Sequence, residues 1–184
     1  SKIHSMNLHY ETVSPLLKET LQKLVNSPIF KDFTLIGGTC LSLQLGHRRS
    51  IDIDLFTDID YGTMNTKEMK EFIQRSFPYS ENTDSLDTSA LGYTLYMGDS
   101  PIDKIKVDFF YTEKFIFPIQ EIDHIRIADI REIAAMKLSA ITEEEPRQKD
   151  FWDIHELNEK YSFKDMIDWG IKRNEWSVTE EGIL

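Results

Sequence analysis

The chain is 184 residues long and carries 32 acidic against 21 basic side chains, a formal charge of −11 at pH 7. That length suits one domain, or one domain with a small helical annex, and a chain of this size buries roughly 70% of its unfolded surface without a disulfide or metal staple. With 40% apolar and 29% charged residues, the composition is that of a globular protein, and the acidic balance excludes coating nucleic acid through bulk charge while leaving room for a local basic site.

Ser14-Pro15 opens the first predicted helix, with serine as cap, proline at the first helical position and Leu16, Leu17, Leu21, Leu24 and Val25 as an apolar stripe. Asn26-Ser27-Pro28 stops it. Phe33 to Ile36 reads as a short buried strand broken by Gly37-Gly38, and Thr39 to Leu45 as a brief helix entered from that turn. Ile51 to Phe56 alternates apolar and acidic residues and predicts a strand, with Ile51, Ile53 and Leu55 packed beneath it. Asn65 with Glu68 predicts a capped helix to about Phe77, and the polar stretch 79–90 predicts a loop. Tyr93 to Met97 and Lys104 to Tyr111 read as two strands joined through Gly98-Asp99-Ser100-Pro101. Asp129 with Glu132 repeats the capping pattern before a helix to about Ile141. A Glu143–Pro146 loop follows, then helices from near Arg147 to Lys160 and from Ser162 to about Arg173. The order predicts an α+β fold with a mixed sheet flanked by helices and a helical C-terminal part, divided as 1–127 and 128–184. No apolar run approaches the ~20 residues of a membrane helix, and no secretory leader is expected at the first residues. A single cysteine, Cys40, suits a core thiol in a reducing cytoplasm.

In a strand, side chains two apart share a face, so Asp52 and Asp54 point the same way. Two like charges ~4 Å apart repel by roughly 4 kcal/mol at an effective dielectric of ~20. A solvated edge strand and a cation held between the carboxylates explain that pair equally well. Lys106-Val107-Asp108-Phe109 tips the balance. If that strand lies beside the first, Asp108 becomes a third carboxylate, and three oxygen donors without His or Cys suit Mg²⁺ or Mn²⁺. Taken alone, Asp108 reads as the partner of Lys104 or Lys106. Gly37-Gly38 allows close backbone approach to an anion at a helix start, yet it lacks the lysine of a Walker loop. Lys137 falls on the apolar face set by Ile133, Ala134, Ala140 and Ile141, which calls for an anion unless its stem snorkels to solvent. Arg147, Asp150 and Asp153 line one helix ridge, the bland reading being a local ion pair. The five histidines show no zinc spacing, and Trp152, Trp169 and Trp176 read as helix packing.

A strand ending in Gly37-Gly38, thirteen residues, Asp52-Ile53-Asp54-Leu55 and a later single Asp on a strand resembles the DNA polymerase β-like nucleotidyltransferase superfamily. Gly37-Gly38-Thr39-Cys40-Leu41 and His47-Arg48-Arg49-Ser50-Ile51-Asp52-Ile53-Asp54-Leu55, with Met136-Lys137-Leu138-Ser139-Ala140 and Arg147-Gln148-Lys149-Asp150-Phe151-Trp152-Asp153, resemble its AbiEii/AbiGii toxin branch over about residues 30 to 160. The resemblance implies an Mg²⁺-dependent (or Mn²⁺-dependent) transfer of a nucleoside monophosphate from an NTP to an acceptor hydroxyl. It implies Asp52, Asp54 and Asp108 as metal ligands, with Asp108 or Asp150 as base and Lys137 neutralising charge. Gly37, Gly38, Thr39, Arg48, Ser50, Lys137 and Arg147 are then the nucleotide contacts, and Asp153 steadies a neighbouring base. The helical part completes the site. The partners implied are an RNA or tRNA acceptor and a cognate antitoxin in the cytoplasm, with no membrane. Two other readings remain: transfer to an antibiotic-like small molecule or a protein, and a degenerate module that only binds a nucleotide or partner.

Overall fold

The computed structural model describes residues 6–82, 91–143 and 145–181. Its elements are α1 (Pro15–Val25), β1 (Thr34–Ile36), α2 (Gly37–Leu45), β2 (Ile53–Thr57), α3 (Thr66–Ser76), β3 (Tyr79–Asn82), β4 (Gly92–Gly98), β5 (Lys104–Tyr111), β6 (Gln120–Ile122), β7 (Ile125–Ile127), α4 (Ile130–Glu143), α5 (Gln148–Asn158) and α6 (Phe163–Glu181). They form two compact units. One holds the described residues up to Thr112 together with Glu121–Ile127, and the other holds Glu113–Gln120 and the described residues from Ala128 onward. No helix among the described residues is long and apolar enough to cross a membrane.

Local chemistry sets the helix starts of the first unit. The Leu17 N–H donates to Ser14 Oγ at 3.0 Å ahead of Pro15, and Leu17, Leu21 and Leu24 are fully buried. Asn65 caps α3 by accepting from the Glu68 N–H at 3.2 Å, and its amide donates to Glu68 Oε2 at 3.0 Å. The sheet runs β3-β4-β5-β2-β1-β7-β6. β2 pairs parallel with β5 and antiparallel with β1, while β1 pairs parallel with β7. On the covered face Ile53, Leu55, Tyr93, Leu95, Met97, Ile105, Val107 and Phe109 are buried, with α1 against β4 and β5 and α3 against β3. Phe109 anchors that core, its ring 5.5 Å from those of Phe30, Phe33 and Tyr93.

Several expectations need correcting. Ile51 is 72% exposed and precedes β2, so only Ile53 and Leu55 pack beneath the acidic residues. Gly37 and Gly38 are the first turn of α2 rather than a turn before it. Residues 79–82 of the expected loop form β3, paired with β4 from Tyr79↔Gly98 to Asn82↔Leu95, and 83–90 lie outside the described residues. β6 and β7 were not expected. Asp123 and His124 turn between them with φ of 53° and 64°, the left-handed pair that a tight hairpin demands.

In the helical unit Asp129 caps α4 by accepting from the Arg131 N–H at 2.9 Å. Glu132 is not its reciprocal partner. Its carboxylate is buried, accepts from the N–H groups of Ile116 (2.7 Å) and Phe117 (3.0 Å), and pairs with buried Arg173 at 2.6 Å. Trp169 packs edge-on against Phe117 and Tyr161, as expected. Trp152 does not pack: it is 53% exposed. The side chains of Ala140, Ile141 and Trp176, and Glu144 as a whole, lie outside the described residues.

Candidate active site

Strand register brings the carboxylates together. Asp54 on β2 lies directly beside Asp108 on β5, and Ile36, the last residue of β1, lies on its other side. Parallel neighbours in register project to the same face, and Asp54 and Asp108 are within hydrogen-bonding reach of one another. Burial, the Asp108 carboxylate and the charge of Asp52 push the Asp54 carboxyl up to about 7, against the pull of Lys106. Asp108 is held from two sides. Thr94, opposite it on β4, donates from Oγ1 to Oδ1 at 2.5 Å, and Lys106 Nζ lies 3.8 Å from Oδ2. Both readings of Asp108 therefore hold at once: it has a lysine partner and it faces the acidic pair. Thr94 was missed in the sequence, although the hairpin alternation puts it on the polar face and opposite Asp108.

The double glycine has a steric cause. Gly37 takes φ +72°, and a Cβ there would collide with Asp54 Oδ2; at Gly38 a Cβ would collide with Arg48 Nη2. The first glycine thus lets a carboxylate, and the second a guanidinium, lie against the start of α2. Arg48 is fixed further by donating from Nη1 to the Arg49 carbonyl at 2.9 Å. Thr39 and Ser50 are buried, with their hydroxyls 2.6 Å apart, and Thr39 also donates to the Asp52 carbonyl. This latch ties α2 to the chain just before β2. Gly37→Ala combines a left-handed strain with a clash against Asp54. It is expected to cost about 1–3 kcal/mol, read as a Tm loss of roughly 2–12 °C; a melt within 1 °C of wild type would contradict the geometry.

Lys137, Arg147, Asp150 and Asp153 form a separate cluster in the helical unit. Lys137 faces inward, 12% exposed, with Nζ 2.9 Å from both Asp150 Oδ1 and Asp153 Oδ2. The anion its position called for comes from the chain itself. Asp150 also accepts from the Arg147 N–H at 3.1 Å, closing the first turn of α5. Burial works against its charge, but Lys137 and the Arg147 N–H outweigh it and hold the carboxyl below its usual range. The Arg147 side chain is 68% exposed and 3.3 Å from Asp150.

Among the described residues, no group of three His, Cys, Asp or Glu side chains converges into a ready-made metal cage. A cavity of about 370 Å³ at the start of β1, lined by Phe30, Lys31, Phe33, Glu121, His124 and Arg126 among others, includes none of Asp52, Asp54 and Asp108.

Comparison with known proteins matches residues 19–173 to a family described as nucleotidyl transferase AbiEii toxin, type IV toxin–antitoxin system. The chain belongs to the AbiEii nucleotidyl transferase family. It is 33% identical over 173 residues to the uncharacterized protein aq_aa25 of Aquifex aeolicus, covering 89% of this chain and 73% of that one. Among solved structures it is similar to JHP933 from Helicobacter pylori (19% identity, TM-score 0.54, 79% of this chain and 64% of that one). It is similar also to MenT4, a nucleotidyltransferase toxin from Mycobacterium tuberculosis (14%, 0.55, 85% and 62%), and to the Megavirus polyadenylate synthase (15%, 0.53, 78% and 31%). The chain spans less than two thirds of these three solved chains. Such likenesses give this member of the AbiEii family the nucleotidyltransferase fold.

Proposed function

We propose that this AbiEii member moves a nucleoside monophosphate from an NTP to an acceptor hydroxyl, releasing pyrophosphate. The observation that carries the reading is the juxtaposition of Asp54 and Asp108 against a glycine turn shaped around one of them. Two carboxylates driven together, with Asp54 holding its proton more tightly than usual, are a site that a divalent cation would relieve. The all-oxygen donor set suits Mg²⁺ or Mn²⁺, with Asp52, Asp54 and Asp108 as the residues to hold it. Bound there, such an ion would neutralise the charge that builds on the oxygens flanking the α-phosphate during in-line displacement.

The protein's own groups carry the remaining tasks. The N–H groups at the start of α2 and the Arg48 guanidinium would grip the triphosphate. Thr39 and Ser50, expected as phosphate contacts, would serve by holding that turn in place through their latch. Asp108 would take the proton of the acceptor hydroxyl while Thr94 fixes its other oxygen. Of the nucleotide contacts expected in the helical unit, Lys137 is engaged with Asp150 and Asp153, whereas the Arg147 side chain is exposed and would meet an anion. The family's toxin–antitoxin description supports a cognate antitoxin as a partner, and the likeness to the Megavirus polyadenylate synthase supports an RNA acceptor.

The test is a melt of wild type and Asp54→Asn with each nucleoside triphosphate and Mg²⁺. A ligand at ~100 times its dissociation constant adds about 2.7 kcal/mol, a Tm rise of roughly 5–10 °C. A metal-dependent rise with one base, absent in the variant, is expected. The same labelled nucleotide is then offered to RNA, protein extract and an aminoglycoside to see which becomes labelled. No rise with any nucleotide would favour the degenerate module instead.

A further inference from the structure

The open face of the sheet continues beyond the carboxylates, all within the first unit. Residues two apart on β5 share the side of Asp108, so Lys106 and Lys104 follow it in that order. Register carries the same face across to β4 and β3. Asp108 is opposite Thr94, Lys106 opposite Tyr96, and Tyr96 opposite Glu81; Lys104 is opposite Gly98, and Gly98 opposite Tyr79. Every one of these side chains is half-exposed except that of Gly98, which has none, whereas the alternating residues Leu95, Met97, Ile105 and Val107 are buried.

The outer part of this strip is locked. Glu81 accepts from Lys104 at 3.0 Å and from the Tyr79 hydroxyl, and Lys104 lies 4.9 Å from the centre of the Tyr96 ring. The inner part is looser. Lys106 is 38% exposed, and its Nζ lies 3.8 Å from Asp108 Oδ2, too long for a hydrogen bond.

In-line displacement decides which side of the carboxylates the acceptor uses. The attacking oxygen must enter opposite the leaving pyrophosphate. The glycine turn and Arg48 lie on the β1 side of Asp54, so the leaving group is held there; β5, β4 and β3 continue on the other side. Resting on the proposed nucleotidyl transfer to an RNA with a free 3′ hydroxyl, we infer that the acceptor strand lies along the β5–β4 strip and that Lys106 and Tyr96 are the side chains that contact it. The charge of the strip favours an anion. Outside the catalytic row, Lys104 and Glu81 offset one another, so the strip's surplus charge is Lys106, which would meet an RNA phosphate and repel a polycationic aminoglycoside. A lysine for a phosphate beside a tyrosine for a base edge or face is the pairing that single-stranded nucleic acid uses.

The experiment titrates a short fluorescein-labelled single-stranded RNA with a free 3′ hydroxyl into wild type, Lys106→Gln, Lys106→Arg and Tyr96→Leu, with Mg²⁺ present, alongside nucleotide melts of the same proteins. Lys106→Gln and Tyr96→Leu should each weaken RNA about tenfold, while Tyr96→Leu keeps the nucleotide-induced Tm rise at the wild-type value and Lys106→Arg keeps most of the affinity. Lys106→Gln should also lower the slope of log affinity against log salt by about 0.7, the loss of one phosphate contact. Unchanged RNA affinity in both variants would overturn the inference. So would loss of the nucleotide rise in Tyr96→Leu, which would put Tyr96 on the donor side, or kanamycin binding more tightly than the RNA. A wild type that shows no nucleotide rise would instead sink the transfer reading, with the RNA titration still judging the strip. Tyr96→Leu leaves the carboxylate row untouched, so its result stands if Lys106→Gln disturbs Asp108.

Discussion

Asp54→Asn should abolish transfer and, without divalent cations, make the protein more stable. The loss of activity is expected to reach about 10³-fold, in the range found when a transition-state charge loses its main electrostatic partner. The gain in stability follows from the same carboxylate. An asparagine amide can donate to Asp108 as the protonated Asp54 does, and it does so without the charge. The sign of the pH dependence is fixed by the direction of the shift. A carboxyl pushed up to about 7 binds its proton more tightly in the folded than in the unfolded chain. Its contribution to stability is therefore complete below about pH 4 and is lost as pH rises through 7. Asp54→Asn should melt close to wild type near pH 5 and above it at pH 8, by an amount on the order of 1–3 kcal/mol because the group is only half-buried, or roughly 2–12 °C. Adding Mn²⁺ or Mg²⁺ at pH 8 should raise the wild-type melt and leave the variant unmoved. A variant less stable than wild type at pH 8 would show that the carboxylate pair is not under electrostatic strain, and the cation-site reading would lose its physical basis.

That strain was partly legible in the sequence. The alternation in Lys104-Ile105-Lys106-Val107-Asp108-Phe109-Phe110-Tyr111 marks β5 to the residue, because one face is buried against helices and the other is not. The caps at Ser14 and Asn65 were equally plain, since each is a single local bond. What the sequence hid was what depends on neighbours distant along the chain. β3 reads as polar loop because Ser80, Glu81 and Asn82 owe their strand to β4, and β6 and β7 are three-residue strands turned by Asp123 and His124 rather than by Asn-Gly. Glu132 fits the pattern of a capping box, yet it is drawn away by a buried arginine 41 residues downstream. The side-by-side pairing of Asp54 with Asp108 could be posed as a condition from the alternation alone, and only strand register answers it. In the sequence Gly37 and Gly38 signal freedom to approach a ligand, whereas in the fold each also makes room for a side chain of the protein itself.

Lys137→Met should strongly destabilise the helical unit, and its damage should reverse with acid. The substitution keeps the volume and apolar stem while leaving Asp153, fully buried, and Asp150, 16% exposed, without the cation between them. Removing one member of a buried ion pair costs about 3–5 kcal/mol, a fall in Tm of roughly 6–20 °C for a chain of this size. Tryptophan fluorescence isolates the event, since Trp152, Trp169 and Trp176 all belong to the helical unit and the first unit has none. In wild type the Asp150 carboxyl, held below its usual range, contributes stability that is present above about pH 4 and lost as pH falls through its folded value. In the variant burial dominates instead and favours the protonated acid, so the defect should be largest near pH 7–8 and shrink toward pH 4–5. Lys137→Met with Asp153→Asn should recover about 2 kcal/mol or more of the loss, because the deepest uncompensated charge is then gone. A single variant that melts within 2 °C of wild type, or a double variant no better than the single, would mean that the lysine is not the structural counter-ion of this cluster. Its inward position would then have to be explained by an anion that the chain itself does not supply.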